Sequence, residues 1–188
     1  MYKSIDATSK NILWVVAFLA IFVCPNSMAT KIGLKNFREL PVAYSTVLAT
    51  PLNPTISSVI KKVQSRLPQK GDIEELNSPM LLAAFELAGS YCSAFTSSEA
   101  LKSPAERLIF GDVDFSQGTK QFVPALQRSL LNNLSETFWF RMPLESEVPE
   151  LNKFFDEILA TGTTPSNTRQ VSFLLCTYFA TSVQFLVD

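Results

Sequence analysis

Apolar residues recur every three to four positions along most of this 188-residue chain, and the alternation that makes a strand is scarce. A spacing near 3.6 residues places apolar side chains on one face of an α-helix. The stretches that show this spacing are 37–48, 55–67, 78–96, 103–110, 119–141, 148–160 and 168–187. The sequence therefore predicts an all-α fold, a compact bundle of about five to seven helices.

Two of these stretches are expected at the centre of the bundle. The first begins at Ser78-Pro79, a pair that favours a helix start, and its apolar stripe contains Cys92. The second, 168–187, is apolar on most sides, which is typical of a buried helix, and it contains Cys176. A disulfide between the two cysteines fits this placement. Two separate buried thiols are the alternative, because cysteine is often buried without pairing.

The N-terminus has the order of a secretory signal peptide. Lys3 and Lys10 precede an apolar run over 12–24, which is shorter than the roughly 20 residues that cross a bilayer. Small residues at 27 and 29 then suit a cleavage site. We therefore expect residues 1–29 to be a cleaved leader.

The expected mature chain, 30–188, is predicted to form a single helical domain. It retains two of the three cysteines, because Cys24 falls within the leader. Export to the periplasm, the cell surface or the medium would allow the remaining two to form a disulfide. Two alternatives stay open: the run at 12–24 is retained as a membrane anchor, or Cys24 is lipidated.

Composition excludes several classes of function. The chain has no histidine, so no catalytic triad or metal site that needs an imidazole is available. Sixteen basic and 17 acidic side chains give a net charge of −1, which offers no basic face for nucleic acid. We expect no nucleic-acid partner and no cofactor.

One loop has the beginning of a calcium-binding pattern. Asp112, Asp114 and Ser116 offer side-chain oxygens at alternating positions. The later positions of such a loop need a glycine and a glutamate, and here they are Gln117 and Val123. The alternative to a metal site is a loop whose carboxylates cap the next helix.

A second candidate site is rich in aromatic residues. Trp139, Phe140 and Arg141 follow Phe138 and form a candidate platform for a ligand or a contact for a partner protein. In the alternative interpretation, Phe138 packs in the core while Trp139 and Arg141 cover its edge.

Acidic side chains also occur in pairs and groups, and two carboxylates held close together can cleave a glycosidic bond. Most such charges lie on solvated helix faces, which is the alternative. The residues concerned are Glu74, Glu75, Glu145, Glu147, Glu150, Asp156 and Glu157.

Several short motifs support a family resemblance. They comprise 77–83, 87–88 and 91–92, with Arg66-Leu67-Pro68 before them and 107–110, 113–115 and 175–177 after them. Their order resembles an uncharacterised helical module of large exported gammaproteobacterial proteins that often also carry LamG domains. The resemblance implies an exported helical module with paired cysteines, and it implies no activity.

The sequence thus predicts an exported, non-catalytic binding or assembly module of the bacterial cell envelope or surface. Its expected partner is another envelope or surface protein, with membrane contact only if the leader is retained. A carboxylate-dependent hydrolase and a membrane-tethered accessory subunit are the alternatives. An exposed apolar patch favours the binding module, whereas a pocket with two close carboxylates favours the hydrolase.

Overall fold

A computed structural model describes residues 35–67, 77–160 and 162–186, so the predicted leader lies outside the described residues. Within those ranges the chain forms helices and no strand, which confirms the all-α class. The helices are α1 (Glu39–Val47), α2 (Pro54–Val63), α3 (Ser78–Leu101), α4 (Pro124–Trp139), α5 (Val148–Leu159), α6 (Pro165–Ala180) and α7 (Val183–Leu186), with 3-10 turns at Pro104–Glu106 and Thr119–Gln121. None of the described helices is both long and apolar enough to span a bilayer.

Helices α3 and α6 lie at the centre of the bundle. α3 contacts α1, α2 and α6, and α6 also contacts α4 and α5. Cys92 on α3 and Cys176 on α6 are fully buried and joined by a disulfide, with their Cα atoms 5.7 Å apart. The predicted central pair and the predicted cystine are both confirmed.

A buried tyrosine fixes α1 against this pair. The hydroxyl of Tyr44 donates a hydrogen bond to the carbonyl oxygen of Ala180 at 3.0 Å. The ring of Tyr44 stacks on Phe185 at 5.2 Å and lies 5.6 Å from that of Tyr91. Burial raises the pKa of Tyr44 above its ordinary value, which favours the neutral phenol that donates this bond.

The long helices begin at caps that differ from the predicted ones. Asn77, not Ser78, caps α3, because its side chain accepts the backbone N–H of Met80 at 3.0 Å. Helix α6 begins at Pro165, before the predicted residue 168. Thr164 is its N-cap and forms a reciprocal capping box with Asn167 in the first turn.

Two predicted helices are each divided in the structure. The stretch 119–141 forms a 3-10 turn and then α4, which begins at Pro124 because proline has no N–H to donate within a helix. The stretch 168–187 is interrupted after Ala180. There the hydroxyls of Thr181 and Ser182 donate back to carbonyl oxygens of the last turn, and α7 follows.

The helix predicted from Ser103 through Phe110 is wrong. Its capping box with Glu106 is present, but only one 3-10 turn follows it. The buried carboxylate of Glu99 accepts the backbone N–H groups of Ile109 and Phe110 at 3.2 and 3.4 Å, respectively. These contacts draw the segment onto the end of α3 as an irregular loop.

Candidate functional site

The strongest candidate for a functional residue follows the end of α4. Phe140 has φ 55° and ψ 25°, in the left-handed region, which costs a bulky residue about 1–2 kcal/mol. Its side chain is 79% exposed, so burial does not offset that cost. Ala49, after α1, is the other non-glycine residue with positive φ in the described ranges, and it carries only a methyl group. A left-handed residue commonly ends a helix, and it is usually glycine or asparagine, so an exposed aromatic ring at this position makes Phe140 a candidate binding residue.

The two predicted neighbours of Phe140 hold the fold together at this point. The ring of Trp139 packs on Phe179 at 4.7 Å, and its indole N–H donates to the hydroxyl of Ser182 at 2.6 Å. The guanidinium group of Arg141 lies 5.3 Å from the centroid of the Trp139 ring. Both side chains are half-buried, so they support Phe140 rather than project beside it.

An ion pair fixes the segment that follows. The guanidinium group of Arg141 donates to both carboxylate oxygens of Glu147, at 2.8 and 2.7 Å. It also donates to the carbonyl oxygen of Met142 at 3.0 Å, and Glu147 accepts the backbone N–H of Leu144 at 2.8 Å. These hydrogen bonds lower the pKa of Glu147 and raise that of Arg141. The chain between the two residues is therefore held in one conformation.

This fixed segment presents three apolar side chains to solvent. Phe140, Met142 and Leu144 are 79%, 48% and 56% exposed, and we call these three residues the apolar corner. The helical spacing of apolar residues continues from Phe138 to Met142 and predicts that Met142 faces the core, which is wrong because the helix ends at Trp139. Leu144 was not predicted from the sequence. A signal for it exists: apolar residues at every second position around Pro143 suit an extended segment.

The predicted metal loop uses its oxygens within the fold. The carboxylate of Asp114 accepts from the backbone N–H and the hydroxyl of Ser116 at 2.9 and 2.6 Å, and these bonds lower its pKa. The carboxylate of Asp112 accepts from the hydroxyl of Ser129 at 3.0 Å. Over the described ranges, no three acidic or cysteine side chains gather where they could hold a metal ion. The metal hypothesis stays a prediction.

The candidate carboxylates for a hydrolase are mostly in solvent. Asp156 and Glu157 are exposed on α5, and Glu145 and Glu150 are exposed near its start. Glu147 is engaged by Arg141, and residues 74 and 75 lie outside the described residues. The hydrolase alternative stays a prediction.

Substitution of Phe140 tests the conformational strain. We expect the free energy of unfolding of Phe140→Asn and of Phe140→Gly to exceed that of Phe140→Ala by up to about 1 kcal/mol. The reason is that asparagine and glycine adopt the left-handed conformation more readily than alanine does. Alanine is the matched control, since it also removes the ring but keeps the strain. Urea denaturation of the three variants measures the difference. An alanine variant as stable as the other two would contradict strain at this position.

The Arg141–Glu147 pair predicts a local response to acid. Because the folded state lowers the pKa of Glu147, the pair contributes fully above about pH 4.3, the ordinary glutamate value, and is lost as the pH falls through the lowered pKa. With Trp14→Phe, the sole remaining tryptophan is Trp139. We expect its fluorescence to shift below about pH 4.3 before global unfolding. Glu147→Gln should remove that step, and an unchanged step in this variant would assign it to another group.

Comparisons of the chain with known protein families, with curated proteins and with solved structures find no match. The resemblance to the exported helical module therefore stays a prediction. Among the predicted sites, the residues around Phe140 present exposed apolar side chains on a segment ordered by hydrogen bonds.

Proposed function

We propose that this chain is an exported helical module of the bacterial cell envelope or surface that binds another protein through the apolar corner. The observation that carries the proposal is the exposed ring of Phe140, held in a left-handed backbone conformation. Aromatic residues and methionine are enriched in protein interfaces, where a buried ring often contributes much of the affinity. A bound partner would bury the ring that the free protein exposes.

The rigidity of the corner supports binding. Trp139 is anchored through Phe179 on α6 and through Ser182 in the turn between α6 and α7, and the Arg141–Glu147 ion pair spans the segment. A segment that is already ordered loses little conformational entropy when a partner docks. The apolar side chains are thus presented in the geometry in which they would bind.

The compartment is inferred from two separate features. Disulfides persist in the periplasm and outside the cell, so the Cys92–Cys176 bond supports an oxidising location. The order of charged, apolar and small residues over 1–29 supports export, although that segment lies outside the described residues. The proposed partner is accordingly a protein of the same compartment.

Site-specific photocrosslinking in living bacteria tests the proposed surface. We place benzoylphenylalanine at position 140 and, as the matched control, at Leu101, an apolar residue at the end of α3 that is 89% exposed. We expect a discrete crosslinked protein from position 140 and none from position 101. Met142→Ser and Leu144→Ser should weaken the product without unfolding the chain, because both side chains lie largely in solvent.

The experiment also has a clear adverse result. The same products from both positions would mean that crosslinking follows exposure alone. No product from position 140 in exporting cells would likewise overturn the proposed binding surface.

A further inference from the structure

Acidic side chains border the apolar corner. Between residues 136 and 150 the sequence has four glutamates and a single cation, Arg141. That cation is engaged by Glu147, and Glu136, Glu145 and Glu150 are exposed; Lys153, three residues after Glu150 on α5, is the next cation along the chain. The segment therefore carries a local negative charge on a chain whose net charge is only −1.

The three exposed glutamates lie close to the corner along the chain. Glu136 precedes Phe140 by four residues, about one helical turn, and Glu145 directly follows Leu144. Glu150 lies in the first turn of α5. Burial is the main cause of the raised pKa of Tyr178, and the charges of Glu147 and Glu150 raise it further. Glu150 therefore lies in the same neighbourhood as the ion pair. Along the chain, the apolar side chains thus have exposed carboxylates before them on α4 and after them towards α5.

This charge selects among occupants of the corner. A second copy of the chain docked corner to corner would oppose like charges, which destabilises an interface. Anionic lipid would be repelled in the same way. A cationic protein surface, by contrast, would gain affinity and a faster approach from the carboxylates.

We infer that the apolar corner binds a protein surface whose apolar contact area is bordered by lysine or arginine side chains. This inference rests on the proposed function, because it names the chemistry of the partner at the same surface. Phe140, Met142 and Leu144 would enter the apolar area, while Glu136, Glu145 and Glu150 would face the cations.

Two synthetic peptides test the charge requirement directly. One is an amphipathic helix with a leucine face bordered by lysine, and the other has glutamate in place of lysine. The full chain with Trp14→Phe reports binding through the fluorescence of Trp139, which adjoins the corner. At low ionic strength we expect the lysine peptide to bind with a Kd about ten-fold lower than the glutamate peptide, and added salt should reduce the ratio.

Matched variants connect this preference to the corner. Glu145→Gln combined with Glu150→Gln should reduce the lysine preference several-fold, whereas Asp156→Asn combined with Glu157→Gln changes the net charge equally at the far end of α5 and should preserve it. Phe140→Asn should weaken binding of the lysine peptide, since it removes the exposed ring.

Other outcomes overturn the inference. Equal binding of the two peptides, no binding, or equal effects of the two charge pairs would each exclude a cationic partner surface. Binding to phosphatidylcholine vesicles that depends on Phe140, in place of peptide binding, would assign the corner to a membrane. If position 140 still gives its discrete crosslinked protein in cells, only the partner chemistry fails; if that product is also absent, the proposed function fails as well.

Discussion

Replacing Cys92 with serine is expected to lower the free energy of unfolding by about 4–5 kcal/mol. The bond joins residues separated by 84 positions, so its loss frees a long loop in the unfolded chain. Both cysteines are fully buried between the two central helices, and the new hydroxyl would have to find a partner there. A loss of this size is comparable to the total stability of many domains, about 5–15 kcal/mol.

A double-mutant cycle separates the bond from the packing of each side chain. Cys176→Ser should cost as much as Cys92→Ser, and the double variant should cost little beyond either single change. Urea denaturation with and without reductant measures all four proteins. The unsubstituted protein in reductant is the control, because it loses the bond but keeps both side chains. Additive losses from the two single variants would contradict a shared disulfide.

Removing the buried carboxylate of Glu99 is expected to have the second-largest effect. This side chain is fully buried, and its oxygens accept from the ammonium group of Lys102 at 3.0 Å and from two backbone N–H groups at 109 and 110. Glu99→Ala leaves these two amides without their acceptor in the core. We expect a loss of about 3–5 kcal/mol in the free energy of unfolding, the range measured for broken buried pairs.

Two further variants test the cause of this loss. Glu99→Gln keeps one acceptor oxygen and should retain part of the stability. Glu157→Ala removes an exposed glutamate and should change the free energy of unfolding by less than about 0.5 kcal/mol. Amide hydrogen exchange at Ile109 and Phe110 should accelerate in Glu99→Ala before other core amides do. Unchanged exchange at both residues would show that Glu99 does not hold the loop.

The parts of the fold that could be predicted from sequence depend on local periodicity. The stripes that contain Cys92 and Cys176 are long and apolar, so both helices and their central position follow from spacing alone. The disulfide was predictable for the same reason, because both cysteines fall on stripes that face one core. Such inferences need only neighbours three or four residues apart.

The parts that could not be predicted depend on contacts between distant residues. The helix expected through Phe110 does not form, because the backbone N–H of Ile109 donates to the carboxylate of Glu99, ten residues before it. The exposure of Phe140 depends on α4 ending at Trp139, the residue before it, and on the ion pair of Glu147, which fixes the segment that follows. A periodic stripe that continues to Met142 gives no sign of that end. Most of the apolar corner therefore emerges only once the helix ends and the ion pair are known.

Intact mass spectrometry tests most directly whether the chain is exported and contains the Cys92–Cys176 disulfide. The protein is produced with residues 1–29 in a bacterium, and its thiols are alkylated before and after reduction. We predict a mass that begins at Thr30, with two thiols alkylated only after reduction. A full-length mass with freely alkylated thiols would contradict both export and the disulfide.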